Sequence, residues 1–192
     1  FESAPSLLTV FDTEISRNYE RILKKKGIEI YTNASVKSVK IGPNGMVSID
    51  ASVKGSEIHI ETKKALITDT RLPVSSDLGL EKVGVELKNG FVVVDNHQRT
   101  NVPNIYAVGD VTGGKMLAHI AFAEGIVAAE NMAGHGSVMD HKTVPVCVYC
   151  EPEIASVGLS EDEAKQQGYD VATGKCPMQA SGRAVTLGET DG

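Results

Sequence analysis

Hydrophobic and polar positions change period several times along this chain, and the changes mark its elements. In FDTEISRNYERILKKKG (11–27), Ile15, Tyr19, Ile22 and Leu23 recur at helical spacing; Asp12 or Thr13 can cap, Glu14 lies in the first turn, three lysines close the last and Gly27 follows. That pattern predicts a surface helix packed on one side. IEIYTN (28–33) reads as a short apolar strand. Val47, Ile49, Ala51 and Val53 then alternate with polar residues, EIHIET (57–62) repeats the alternation, and GPNG and KGS supply turns, so a half-buried antiparallel meander is expected. KALITD (64–69) reads as a return strand and RLPVSSDLGLEKVGVEL (71–87) as a connector with one short helix. GFVVVD (90–95) is a further strand candidate. Ile105 to Val108 is apolar on both faces, as a parallel strand covered on each side should be.

The most informative stretch follows that run. Gly109 and Asp110 end it, and ligands of open α/β sheets sit beyond the carboxyl ends of strands, so the acid lies where a ligand would be met. Gly113 and Gly114 remove side chains just before a predicted helix, Met116 to Met132, whose free N–H groups can face an electron-rich oxygen. Ala118, Ala121, Ala123, Ala128 and Ala129 line the helix and allow close packing against a sheet or a flat ring. On spacing alone Asp110 reads equally well as a loop or cap residue, and His119 as a helix histidine bonded to a carbonyl.

Composition narrows the classes. With 192 residues, 41% of them hydrophobic, the chain can bury a core as one or two domains. A formal charge of -6, with no basic block beyond Lys24 to Lys26, argues against nucleic-acid or anionic-membrane partners. No apolar run approaches the roughly 18 residues of a membrane span, and a cytoplasmic setting is expected, or the matrix of a mitochondrion or a plastid in a eukaryote. Cys147, Cys150 and Cys176 do not form a disulfide framework. Cys147 and Cys150 spell C-x-x-C inside a strand-like run, where residues three apart point to opposite faces, so ordinary buried thiols are expected and no metal site.

TNVPNIYAVGDVTGGKMLAHIAFAEG resembles the second flavin-binding motif of the FAD-dependent pyridine nucleotide-disulfide oxidoreductases, and MLAH..F.EG looks most like the members that oxidise dihydrolipoamide. FDTEISRNYERILKKKGIEIYTN, LGLEKVGVEL and PEIASVGLSEDEAKQQG resemble the same family in the same order, so the similarity covers essentially the whole chain. The resemblance implies that Asp110, with Gly109 before it, meets the ribityl hydroxyls of FAD, and that the helix start at Met116, Leu117 and Ala118 presents N–H groups to the flavin pyrimidine ring, where negative charge is favoured. His119 matches the MLAH histidine and is read as structural or flavin-adjacent. Glu2 matches the acid that accepts hydrogen bonds from the adenosine ribose and selects NAD over NADP.

The implied fold is α/β: the C-terminal part of an NAD-binding domain (1–70), the C-terminal part of an FAD-binding domain (71–141) and the start of an α+β dimerisation domain (142–192). The implied cofactors are FAD and NAD. The implied partners are the lipoyl domain of a 2-oxo acid dehydrogenase or glycine cleavage complex and a second copy of the protein. The family's glycine-rich turns, its C-x-x-x-x-C redox pair and its His-Glu pair are not among these residues. The chain is therefore expected to be an internal piece with no catalytic residue of its own. Where the family has a G-R-x-P turn, this chain has Thr70 in DTRLP, which puts nicotinamide approach in question; Cys150 and Glu151 are milder departures. Glutathione- or mercuric-reducing members are the competing enzymatic reading, disfavoured by MLAH and Glu2, and a redox-inactive nucleotide-binding module is the competing non-enzymatic one.

Overall fold

The computed structural model describes residues 1–68 and 70–192, and these form two units, Phe1–Ile67 with Pro145–Gly192, and Thr68–Val144. The first unit opens with helix α1 (Thr13–Lys25), as the periodicity predicts. Ile22 is buried, and so is Ser16, which hides its hydroxyl by donating to the Leu8 carbonyl (3.0 Å). Burying a side chain the size of Ile22 contributes about 1.5–3 kcal/mol, enough to fix which face turns inward.

The meander follows as β1 (Ala34–Ile41), β2 (Val47–Val53) and β3 (Ser56–Thr62), antiparallel in that order. Val47 and Ala51 are the buried members of the central strand. Lys54 and Gly55, both at positive φ, make the two-residue turn between β2 and β3, the conformation that matches strand twist. Asp50 on β2 holds its neighbours across the sheet, accepting from Ser38 Oγ (2.8 Å) and sitting 2.7 Å from His59 Nδ1.

In the second unit the connector contains a single-turn helix, α2 (Leu80–Val83), and a minimal hairpin of β4 (Leu87–Lys88) and β5 (Phe91–Val92). A 3-10 turn at Gly109–Thr112 leads to α3 (Ala118–Met132). Ile120, Val127 and Met139 form its core, with Leu117, Ala123 and Val144 packed against them. The opposite face of α3 is also apolar and stays exposed at Phe122, Ile126 and Met132.

The first unit resumes with β6 (Val146–Val148) paired to β7 (Ile154–Ser156), then α4 (Glu161–Gln166) and α5 (Gly182–Leu187). The expected capping box is present: Ser160 Oγ accepts from the Glu163 N–H (3.2 Å) while the Glu163 carboxylate accepts from the Ser160 N–H (2.9 Å). Asp12 does not cap its own helix. Its Oδ1 accepts from the Glu161 N–H (2.8 Å), and Thr13 Oγ1 donates to Asp162 Oδ2 (3.0 Å), so the starts of α1 and α4 serve one another. Ser160→Ala should lower stability by about 1 kcal/mol, read as a lower urea midpoint with an unchanged slope.

Four strand expectations are corrected. Residues 28–33 are not a strand; Tyr31 O accepts from the Glu2 N–H (2.8 Å) and the Asn33 N–H donates to Ala4 O (2.9 Å), an irregular exchange. Residues 64–68 carry no strand, with Leu66 and Ile67 exposed, and Asp69 lies outside the described residues. In 90–95 only Phe91–Val92 pairs. Residues 105–108 make one antiparallel bridge, Tyr106 to Arg99, rather than a parallel strand. A parallel strand needs a neighbour reached by a crossover, before or after it in sequence, and among the described residues none pairs with 105–108 in that sense. The class is α/β as expected, with every strand pairing among the described residues antiparallel. No described helix is long and apolar enough to cross a membrane.

Candidate functional site

The site is built around the turn that ends the 105–108 run. Gly109 has φ +78, which strains any other residue, and a Cβ there would crowd Ala121 Cβ at 3.3 Å, so the backbone conformation selects glycine and the packing favours it. Inside the turn, Thr112 Oγ1 donates to the Gly109 carbonyl (2.8 Å) and the Gly113 N–H to the Asp110 carbonyl (3.2 Å). Gly113 has the ring of Phe91 where its Cβ would be, at 3.1 Å, whereas a Cβ on Gly114 would meet nothing. The first glycine thus serves packing, and the second leaves open space before α3.

Asp110 is half exposed, and Arg71 engages one of its two oxygens, with Nη1 2.9 Å from Oδ2. Arg71 Nη2 donates to the Met116 carbonyl, tying the turn to the segment that enters α3. Sequence reasoning missed Arg71 because attention in DTRLP fell on the absent glycine; the signal was a cation in a loop that must meet an acid.

Met116 and Leu117 precede the helix instead of belonging to it: Leu117 is the N-cap residue in extended conformation, its carbonyl accepts from the N–H groups of Ile120 (3.0 Å) and Ala121 (3.1 Å), and α3 starts at Ala118. Ala118 is exposed at a position where a helix has no carbonyl behind its N–H. His119 is exposed beside it, and Thr70 is exposed next to Arg71. Gly109, Asp110, Met116, Leu117, Ala118, His119 and Thr70 all lie in the second unit.

Glu2 belongs to the first unit. Its Oε1 accepts from the Ala4 N–H (2.7 Å) and from Ser3 Oγ (3.3 Å), a local turn that holds the carboxylate. Phe1 and Tyr31 stack with ring centroids 5.1 Å apart, and a hollow of about 400 Å³ lined by Lys24 and residues 27–31 opens beside Tyr31.

Another group that the sequence did not single out is Glu124, on α3. It is 3% exposed, accepts from the Gly109 N–H at 2.6 Å and has His141 Nε2 3.9 Å from its other oxygen. The signal was available: Ile120, Glu124, Val127, Ala128 and Asn131 form the buried stripe of α3, and two of its members are polar.

The three cysteines are free. Cys147 lies on β6, while Cys150 falls just past the strand and donates its thiol to the Pro152 carbonyl (3.1 Å). A hydrogen bond with Cys150, helped by burial, pushes the Tyr19 phenol up to about 12. No group of three His, Cys, Asp or Glu residues able to hold a metal occurs among the described residues.

The residues fit the polyol and ring that the family motif implies. A carboxylate oxygen unused by Arg71 can accept from a hydroxyl, open space lies over Gly114, and the first turn of α3 offers a donor end.

Known families and solved structures resemble the chain along its length. The family model for pyridine nucleotide-disulphide oxidoreductase matches residues 1–125, and that for the dimerisation domain of the same family matches 144–192. A dihydrolipoyl dehydrogenase of Bacillus subtilis is 46% identical over 193 residues, covering 100% of this chain and 41% of that protein. One from Geobacillus stearothermophilus is 42% identical over 192 residues, with the same shares. The crystal structure of LpdA from Mycobacterium tuberculosis superposes with a TM-score of 0.87 at 29% identity, covering 98% of this chain and 41% of that one. The chain thus spans about two fifths of the length of the relatives it matches.

Proposed function

We propose, given that this chain belongs to the pyridine nucleotide-disulphide oxidoreductase family, that it is part of a dihydrolipoyl dehydrogenase that uses FAD and NAD. In that reaction dihydrolipoamide loses two electrons and two protons to become lipoamide, NAD⁺ takes a hydride equivalent, and one proton is released. When bound, the flavin supplies the two-electron relay between dithiol and nicotinamide. The observation that carries the reading is Asp110, a half-exposed carboxylate with one oxygen not engaged by Arg71, which holds it at the mouth of α3.

In this reading Asp110 accepts from the ribityl hydroxyls, Gly109 shapes the turn before it, and Gly114 keeps the approach clear. The start of α3, entered through Met116 and Leu117 and opening at Ala118, places its positive end toward the electron-rich edge of the ring. His119 stands beside that edge and Thr70 lines the loop that carries Arg71. Glu2 accepts from the ribose of NAD, and its charge disfavours a phosphate there. Residues 1–70 and 71–141 complete NAD- and FAD-binding domains, and 142–192 opens a dimerisation domain, consistent with the family model matched there. A homodimer in the cytoplasm, or in the matrix of a eukaryotic organelle, would serve the lipoyl domain of a 2-oxo acid dehydrogenase or glycine cleavage complex.

The test is a pair of assays on the intact enzyme that carries this chain. NADH-dependent reduction of lipoamide should exceed NADPH-dependent reduction of glutathione disulfide by orders of magnitude, and equal rates would refute the assignment. Glu2→Ala should narrow the preference for NADH over NADPH by roughly tenfold, the size of one lost charge-assisted contact.

A further inference from the structure

We propose that Glu124 is the positioning residue of the Asp110 turn: its buried carboxylate holds the Gly109 N–H and so sets the direction in which Asp110 is presented to a bound polyol. The inference rests on the reading of Asp110 given above. Five observations meet at this residue. A carboxylate 3% exposed on the buried stripe of α3 is costly to bury and persists only where a partner requires it. Its partner is the backbone of the residue directly before Asp110, at 2.6 Å, the short distance of a charge-assisted bond. Gly109 stands at φ +78, where glycine moves freely, so the turn needs an external tie to keep one orientation. The bonds inside the turn, from Thr112 to Gly109 and from Gly113 to Asp110, fix its shape but do not anchor it to α3; Glu124 does. His141 Nε2, 3.9 Å from Oε1, marks the outer edge of the carboxylate, leaving Oε2 for Gly109.

The geometry distinguishes Glu124 from a residue that merely fills the helix interface. A filler acts on the stability of α3, whereas a positioning residue acts through Asp110, and the two effects separate in a double-mutant cycle. The measurements are the flavin affinity of the apo form of the intact enzyme and amide hydrogen exchange at Gly109 without flavin. Glu124→Leu should weaken flavin binding by about tenfold or more and speed Gly109 exchange by a similar factor, with α3 amides beyond the first turn unchanged. Glu124→Gln, which keeps an acceptor and the volume, should stay within about threefold of wild type in both, and it carries the test should the leucine variant not fold. In an Asp110→Ala background the leucine variant should cost no more than about twofold further.

Losses that multiply across the two sites would overturn the proposal, as would a Gly109 amide that exchanges freely in wild type. A glutamine variant tenfold weaker for flavin with its Gly109 amide still protected would also overturn it. Unchanged flavin affinity in Asp110→Ala alone would instead overturn the reading of Asp110, which the exchange measurement does not depend on.

Discussion

Asp110→Leu in the intact enzyme is expected to weaken flavin binding by about 1–3 kcal/mol, the loss of a charged acceptor for hydroxyl donors. The structure supplies the reason to expect the loss in the ligand and not in the fold. Asp110 and Arg71 are 50% and 61% exposed, and ion pairs so exposed contribute about 1 kcal/mol or less to stability. Circular dichroism and thermal unfolding should therefore barely change while flavin is lost on gel filtration. Full flavin content with an unaltered dissociation constant would remove Asp110 from the site. Arg71→Ala should move flavin affinity in the same direction by less, since it leaves the acceptor in place and frees only the Met116 carbonyl and one carboxylate oxygen.

The 192-residue chain on its own is expected to show no lipoamide-dependent oxidation of NADH, the largest effect predicted. Electron transfer through a disulfide and a flavin requires a dithiol beside the ring. Here Cys147 and Cys150 lie on and just past β6, Cys150 is committed to a backbone carbonyl, and Cys176 is exposed. The pyrophosphate of FAD requires a glycine-rich turn at a helix start, and these residues contain no G-x-G-x-x-G. One wall of a cofactor site does not repay the immobilisation of so large a ligand. An absorbance scan and an NADH–lipoamide assay on the purified chain decide it: tightly bound flavin with turnover would disprove the expectation.

What could be read from the sequence was whatever its own neighbours determine. The second and third strands of the meander were legible because alternation and the two-residue turn between them are local, while β1 was not named from the sequence; the Ser160 capping box was legible because all its members lie within four residues. Asp110 was placed by its motif, at the end of an apolar run and before a helix. The runs at 28–33, 64–69 and 105–108 have the composition of strands, but pairing depends on distant partners that composition does not reveal. Glu124 was hidden by the habit of reading a glutamate among alanines as solvent-facing, although its place in the buried stripe gave it away. Arg71 was legible as a loop cation in want of an acid, but which acid it meets needed the fold, since 39 residues separate it from Asp110.

The exchange of caps between α1 and α4 has a consequence for how the molecule comes into being. Asp12 and Glu161 are 149 residues apart, and the unit they close is interrupted by the whole of Thr68–Val144. On the ribosome, the inserted unit is contiguous and can close while the earlier segment is still waiting for the end of its own domain. Until β6, β7 and α4 emerge, α1 has no acceptor from Asp162 and the Asp12 carboxylate no amide to serve. Residues 1–67 thus wait for residues 145–192 before their unit can close, and an unclosed unit has that much longer in which to find a wrong neighbour.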